Sequence, residues 1–198
     1  MRVYVDFDRT LFDCDKFLED FYAIISKYNI SKDLFKECQN QSRKHGFNQY
    51  TILNSIEKKY LFDKSIYLDI DELISNTSKY LYSDAIPFLD YLKSNKYSII
   101  ILTKGNSDYQ REKIFNAHID KYYDKLIVTM RHKGLLFLNY LQGVFIDDNP
   151  REIESLLKRR VKKIIRICRT NSKYSNIDLN KKIITVGSLQ EIIDNKLL

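Results

Sequence analysis

Val3-Tyr4-Val5-Asp6-Phe7-Asp8-Arg9-Thr10 is the stretch on which the reading of this 198-residue chain turns. A short apolar run suited to a buried strand ends in two carboxylates, two positions apart, and a hydroxyl. Burying an unpaired carboxylate costs several kcal/mol, so acids at a strand end need a cation, a proton or water. Acid-x-acid spacing by itself is common on surfaces. Its companions elsewhere in the chain give it meaning.

Five further apolar runs read as strands: Ser98–Leu102, Leu126–Thr129, Val144–Ile146, Lys163–Ile167 and Ile183–Val186. They are rich in Ile, Val and Leu with little alternation, the pattern of strands covered on both faces. Helix-like stretches lie between them at Ala85–Ser94, Asp108–Ala117, Gly134–Leu141 and Pro150–Arg160. Strand–helix alternation of this kind predicts an α/β fold with a doubly wound parallel sheet, a Rossmann-like core. Asn149-Pro150 is a helix start, with Asn as cap and Pro in the first turn.

Residues 16–83 break the rhythm. Phe17, Phe21, Ile24, Ile25 and Tyr28 follow helical spacing, and further helices are expected over Lys32–Arg43, Gln49–Tyr60 and Asp71–Tyr82. The predicted organisation is a core domain of residues 1–15 and 84–198, with an all-helical insertion at 16–83 after the first strand. Most aromatic residues of the insertion serve its own core at that spacing.

In an open parallel sheet the cleft lies at the carboxyl ends of the strands. Asp6, Asp8 and Thr10 follow the first strand, Thr103-Lys104 the second, and Asp147-Asp148 the fourth, while Lys133 stands between the third and fourth. Four carboxylates converging on one point repel one another unless a cation sits among them. Oxygen ligands of this kind favour magnesium over zinc.

These residues resemble the motifs of the haloacid dehalogenase superfamily of phosphohydrolases. Asp6-Phe7-Asp8-Arg9-Thr10 is similar to its Asp-x-Asp-x-Thr motif, Thr103 to the hydroxyl residue ending its second strand, Lys133 to its lysine, and Asp147-Asp148 to its acidic pair. The likeness is continuous from residue 85 to about 170. Two departures stand out: Arg9 occupies a position where many members carry Gly, and Glu152 one where some carry a further Asp.

The resemblance implies a Mg2+-dependent phosphomonoester hydrolase. Asp6 would attack phosphorus to give an aspartyl-phosphate, and Asp8 would protonate the leaving alkoxide and then activate water. Thr103 and Lys133 would hold the transferring oxygens, with Lys133 also keeping Asp6 ionised. The metal would be held by Asp6, the Asp8 backbone carbonyl and Asp148, with Asp147 nearby or acting through water. The insertion at 16–83 falls where the family places a helical cap, with Lys44, His45 and Tyr50 as candidate contacts; a lone histidine in a helical insert is more often structural.

Apolar residues at 44% and charged residues at 30% match a soluble globular domain. No run approaches the roughly 18 apolar residues of a membrane span, so no membrane partner is expected. The motif begins within five residues of Met1, leaving no room for a signal peptide, and Cys14, Cys38 and Cys168 lack disulfide or Cys-x-x-Cys spacing. Both features point to the cytoplasm. Residues 151–198 carry 12 basic and 5 acidic side chains, the whole source of the net charge of +7. The cluster Lys158-Arg159-Arg160-Val161-Lys162-Lys163 suits a solvated helix end or an anionic partner such as nucleic acid. The expected partner is a small phosphorylated metabolite or nucleotide. A nucleic-acid end phosphatase and a non-catalytic protein of the same fold are the alternatives. Oligomeric state is not encoded in any pattern found.

Overall fold

The computed structural model describes residues 1–42, 46–136, 142–161, 163–170, 172–177, 179 and 183–198. Lys44, His45, Lys162 and residues 137–141 of the helix expected over Gly134–Leu141 lie outside the described residues. The strands are β1 (Arg2–Val5), β2 (Ser98–Lys104), β3 (Lys125–Thr129), β4 (Val144–Asp147), β5 (Lys163–Ile167) and β6 (Ile184–Val186). They form one sheet in the order β3-β2-β1-β4-β5-β6, with every pairing parallel. The α/β expectation from the apolar runs is met. The chain order reverses at β1, which pairs with β2 on one side and β4 on the other. Ligand crevices of open sheets form at such a reversal.

Helices α1 (Cys14–Lys27), α2 (Lys32–Ser42), α3 (Gln49–Glu57) and α4 (Ile66–Ser75) follow β1, then a 3₁₀ turn at Thr77–Tyr80. After them come α5 (Ala85–Ser94), α6 (Ser107–Asn116), α7 (Pro150–Leu157) and α8 (Leu189–Asp194). The chain leaves the sheet and returns to it side by side: the Asp13 amide donates to the Tyr80 carbonyl at 2.7 Å, and the Tyr82 amide to the Leu11 carbonyl at 2.9 Å. One apolar cluster runs from Val3 and Val5 through Phe7, Phe12 and Phe17 to Ile52 and Ile70, joining one sheet face to α1, α3 and α4. The other face is smaller, built on Tyr4 stacked against Phe145 at 4.3 Å, with Ile153 and Leu156 of α7. No helix among the described residues is long and apolar enough to cross a membrane.

Two helix expectations are corrected, and one helix is added. The helix expected over Asp71–Tyr82 begins earlier, at Ile66, where the Asp63 carboxylate caps the Ser65 amide, and ends at Ser75. Asn76 stops it by leaving helical backbone and donating its side-chain amide to the Glu72 carbonyl. Residues 133–135 form a single 3₁₀ turn rather than opening a longer helix, and Leu136 leaves it extended. That turn is pressed onto α7: a Cβ at Gly134 would lie 2.0 Å from the Ser155 carbonyl oxygen. Helix α8, not expected from periodicity, carries a reciprocal cap. The Glu191 amide donates to Ser188 Oγ, and the Gly187 amide to Glu191 Oε1.

Candidate active site

The Asp6 amide donates to the Ile146 carbonyl at 2.9 Å, extending the β1–β4 ladder by one bond. Asp6 and Asp147 are thereby carried to the same sheet edge. The 3₁₀ turn after β3 delivers Lys133 between them: Nζ lies 2.5 Å from Asp6 Oδ1 and 2.6 Å from Asp147 Oδ2. All three side chains are nearly sealed from solvent. Asp147 is fully engaged, because its other oxygen accepts from the Asn149 amide. Asp148 is also buried, yet its Oδ2 has no partner. Asp6, Asp147 and Asp148 offer oxygens that all lie within 4.8 Å of one another.

Three buried acids against one buried lysine leave an excess of two negative charges. Burial, reinforced by Asp147 and Asp8, pushes the Asp6 carboxyl up to about 7 despite the Lys133 ammonium beside it. Asp148 is driven well above the usual carboxylate range by burial, Asp6 and Asp147. Lys133 itself is held charged; the two carboxylates outweigh the cost of its burial. Lys133, expected to keep Asp6 ionised, does favour the ionised form, but it is opposed by desolvation and two neighbouring acids. An orphaned buried oxygen and a charge excess of two fit a hard divalent cation, with Asp6 and Asp148 as the available donors.

Asp8 sits apart from that group. Its Oδ1 accepts from Lys113 Nζ at 2.5 Å and its Oδ2 from Gln110 Nε2 at 2.7 Å. Burial pushes Asp8 up, but Lys113 and Gln110 together hold it below the usual carboxylate range. Thr103, the next-to-last residue of β2, accepts from the same Gln110 amide at 3.2 Å. Gln110 and Lys113 were invisible to motif reading because they look like ordinary polar positions of a helix. The available signal was their spacing, which places both on the buried face of α6 with Tyr109 and Ile114.

The two departures have structural reasons. Arg9 adopts φ 62, the left-handed backbone that explains why Gly suits this position. Its guanidinium turns to Asp15, donating from Nε and Nη2 at 3.0 and 2.6 Å. Glu152 braces the lysine turn: it accepts from the Lys133 amide and from Lys104 Nζ, both at 2.8 Å, and contacts His132. These contacts hold Glu152 below its usual range against the effect of burial. Thr10 is buried with no partner for its hydroxyl, while its carbonyl accepts from Arg169. Burial pushes the Cys14 thiol up to about 12, so it is a packing residue.

Two cavities meet at Asp8, Arg9 and Lys104. A small one of about 120 Å³ holds Asp6, Thr103, Lys133 and Asp148, with Tyr174 on its rim. At about 30 Å³ per water it has room for a tetrahedral oxyanion or a small hydrated ion. The other, about 410 Å³, opens between α1, α2 and α6 and is lined by Leu18, Phe47 and Tyr109 together with Gln39 and Ser42. Tyr50 lies on neither; its hydroxyl donates to Asp71.

A family model described as haloacid dehalogenase-like hydrolase matches residues 3–134. None of the curated protein sequences matches the chain. Among solved structures, a Burkholderia xenovorans LB400 protein provisionally assigned as a haloacid dehalogenase-like hydrolase aligns with TM-score 0.78 at 18% identity, over 99% of this chain and 97% of that one. A Thermotoga maritima protein provisionally assigned as a β-phosphoglucomutase aligns with TM-score 0.64 at 15% identity over all of both chains. The L-2-haloacid dehalogenase of Xanthobacter autotrophicus, with chloropropionic acid covalently bound, aligns with TM-score 0.61 at 12% identity, over 98% of each chain. At these identities the likeness is one of fold.

Proposed function

The chain belongs to the haloacid dehalogenase-like hydrolases, and from that premise we propose that it is a magnesium-dependent phosphomonoesterase for small phosphorylated metabolites or nucleotides. The observation that carries this reading is the buried Asp6–Asp147–Asp148 group with its orphaned Asp148 oxygen. A phosphate monoester brings further negative charge, which this site accepts only with a divalent cation. A halide leaves without a proton and a haloacid brings one charge, so dehalogenation would give neither the excess acids nor Asp8 a task.

Asp6 and Asp148 would hold the magnesium, which supplies charge neutralisation when bound. Asp6 attacks phosphorus through the oxygen not held by Lys133, and the ester oxygen departs as the aspartyl-phosphate forms. Asp8, at the boundary of the two cavities, is held ionised by Lys113 and Gln110 and takes up a proton before it can give one. It gives that proton to the departing oxygen and regains one from the water that opens the intermediate. Lys133 and Thr103 hold the transferring oxygens, with Asp147 and Glu152 fixing Lys133 in place. Residues 16–83 act as a cap whose α1 and α2 wall the larger cavity, where the leaving alcohol sits.

Two basic side chains of the final quarter serve the fold rather than a nucleic-acid partner. Arg166 donates to the Tyr174 and Ile177 carbonyls, and Arg169 pairs with Asp84. Arg160 lies at the opposite, amino-terminal edge of the strands, beside Met1 and Arg2. A panel of phosphate monoesters and an L-2-haloacid, with magnesium or with chelator, tests the reading. Phosphate release that requires magnesium, without halide release, is expected. Halide release that is indifferent to chelator would overturn it.

A further inference from the structure

Lys113 is a lysine that the family motifs do not include, yet it is 1% exposed and ends against the site. Its ammonium lies 4.9 Å from the ring centroids of Phe12 and Tyr109 and 5.3 Å from that of Phe7. Three ring faces replace water around it and leave Asp8 Oδ1 as its anionic partner. One turn earlier on the same helix, Gln110 holds the other oxygen. The helix is itself anchored: Asn106 caps its first turn, and Thr77 Oγ1 donates to the Lys113 carbonyl at 2.8 Å.

Stability does not call for this arrangement. An apolar side chain at 113 would fill the aromatic box, and replacing buried ion pairs by apolar residues of similar volume is often neutral or stabilising. What the lysine does provide is position. With one donor on each oxygen, both torsions of Asp8 are set and its carboxylate is held at the mouth of the 410 Å³ cavity.

We infer that Lys113, seconded by Gln110, is a positioning residue that aims the Asp8 carboxylate at the leaving-group oxygen. The inference rests on the acid–base role proposed for Asp8. Misplacing the proton donor slows formation of the aspartyl-phosphate only for those substrates whose leaving group needs the proton, whereas the later water step is common to all. Lys113 therefore governs the enzyme's reach toward alkyl phosphates, whose alkoxides are poor leaving groups. Aryl phosphates depart as stabilised phenolates and depend on it little.

The test compares kcat/KM on glycerol phosphate and on para-nitrophenyl phosphate for the parent, Asp8→Asn, Lys113→Met, Lys113→Arg and Gln110→Ala, with thermal melting of each. That constant covers the steps up to departure of the leaving group and leaves out the common water step. Lys113→Met is expected to lose about 10- to 100-fold on the alkyl ester, within the range of general acid catalysis, and little on the aryl ester. Lys113→Arg, which keeps a donor and the charge, recovers part of the loss, and Gln110→Ala shows the same selectivity on a smaller scale. Equal losses on both substrates, or none on either, overturn the inference. If Lys113→Met does not fold, Gln110→Ala and Lys113→Arg decide by the same ratio. Should Asp8→Asn itself lose equally on both substrates, the acid–base role fails and the inference falls with it. An alkyl-selective loss in Asp8→Asn that neither α6 variant shares removes Lys113 alone.

Discussion

Asp6 and Asp8 are two residues apart on one loop and meet opposite surroundings. Asp6 is sealed among two further acids and one lysine, and burial raises its carboxyl to about 7. Asp8 is partly open to a cavity, each of its oxygens has a donor, and Lys113 with Gln110 holds it low against the push of burial. Pairs of acids driven apart in this way mark a division of labour. Here the order is informative: the proposed nucleophile is the one left short of positive charge. On the proposed reading its side of the site would be completed by a cation from solution, whereas the Asp8 side is completed by the protein's own lysine.

Removing the nucleophile should show the largest effect. Asp6→Asn is expected to cost at least about 10⁴-fold in magnesium-dependent phosphate release, as loss of a covalent nucleophile does; a variant within tenfold of the parent would erase the distinction between the two acids. Next in size is Asp148→Asn, which removes the orphaned oxygen's charge. Residues that only orient metal ligands cost 10- to 100-fold when lost, so a direct donor should cost about 100-fold or more. Calorimetric titration of magnesium should show weakened binding, and unchanged binding would move the metal elsewhere.

The raised Asp6 carboxyl makes a prediction for the metal-free protein. Between the ordinary carboxylate pKa and about 7 the folded state binds the proton that the unfolded state releases, so stability falls as pH rises through that window. Melting in chelator should therefore be lower at pH 8 than at pH 5, by an amount on the order of a few kcal/mol, and magnesium should flatten the difference. A metal-free protein that gains stability across this window would contradict the charge excess around Asp6. The smallest effect is expected at Arg9. Arg9→Gly relieves left-handed strain of about 1 kcal/mol while losing the part-exposed pair with Asp15, so its melting should stay near the parent's. Arg9→Ala loses the pair and keeps the strain, and should melt below the glycine variant.

What the sequence revealed about the site followed from strand ends. Asp6, Thr103 and Asp147-Asp148 come directly after or within apolar runs that only a doubly covered sheet explains, so the sheet edge that gathers them was legible with the fold. Lys133 was legible by its place between two strands, but its surroundings were not. Residues 133–135 form a single 3₁₀ turn there, fixed by contact between Gly134 and Ser155, which no local pattern encodes. Gln110 and Lys113 stayed hidden for a related reason. Their partners are more than a hundred residues away in sequence, at Asp8, and a polar pair on a helix reads as solvated until the opposing face is known. Arg169 and Asp84, bonded across 85 positions, escaped in the same way. Local chemistry was readable; long-range pairing was not.

Asp6 is proposed to attack phosphorus while Asp8 stays a proton carrier. This division of roles is tested most directly by acid-quenching the enzyme during turnover of a phosphate monoester with magnesium and sequencing the amino-terminal peptide by mass spectrometry. The prediction is one phosphoryl group on Asp6, none on Asp8, and no adduct in chelator or in Asp6→Asn. Turnover at full rate with Asp6 unmodified throughout, or a phosphoryl group found on Asp8, would contradict it.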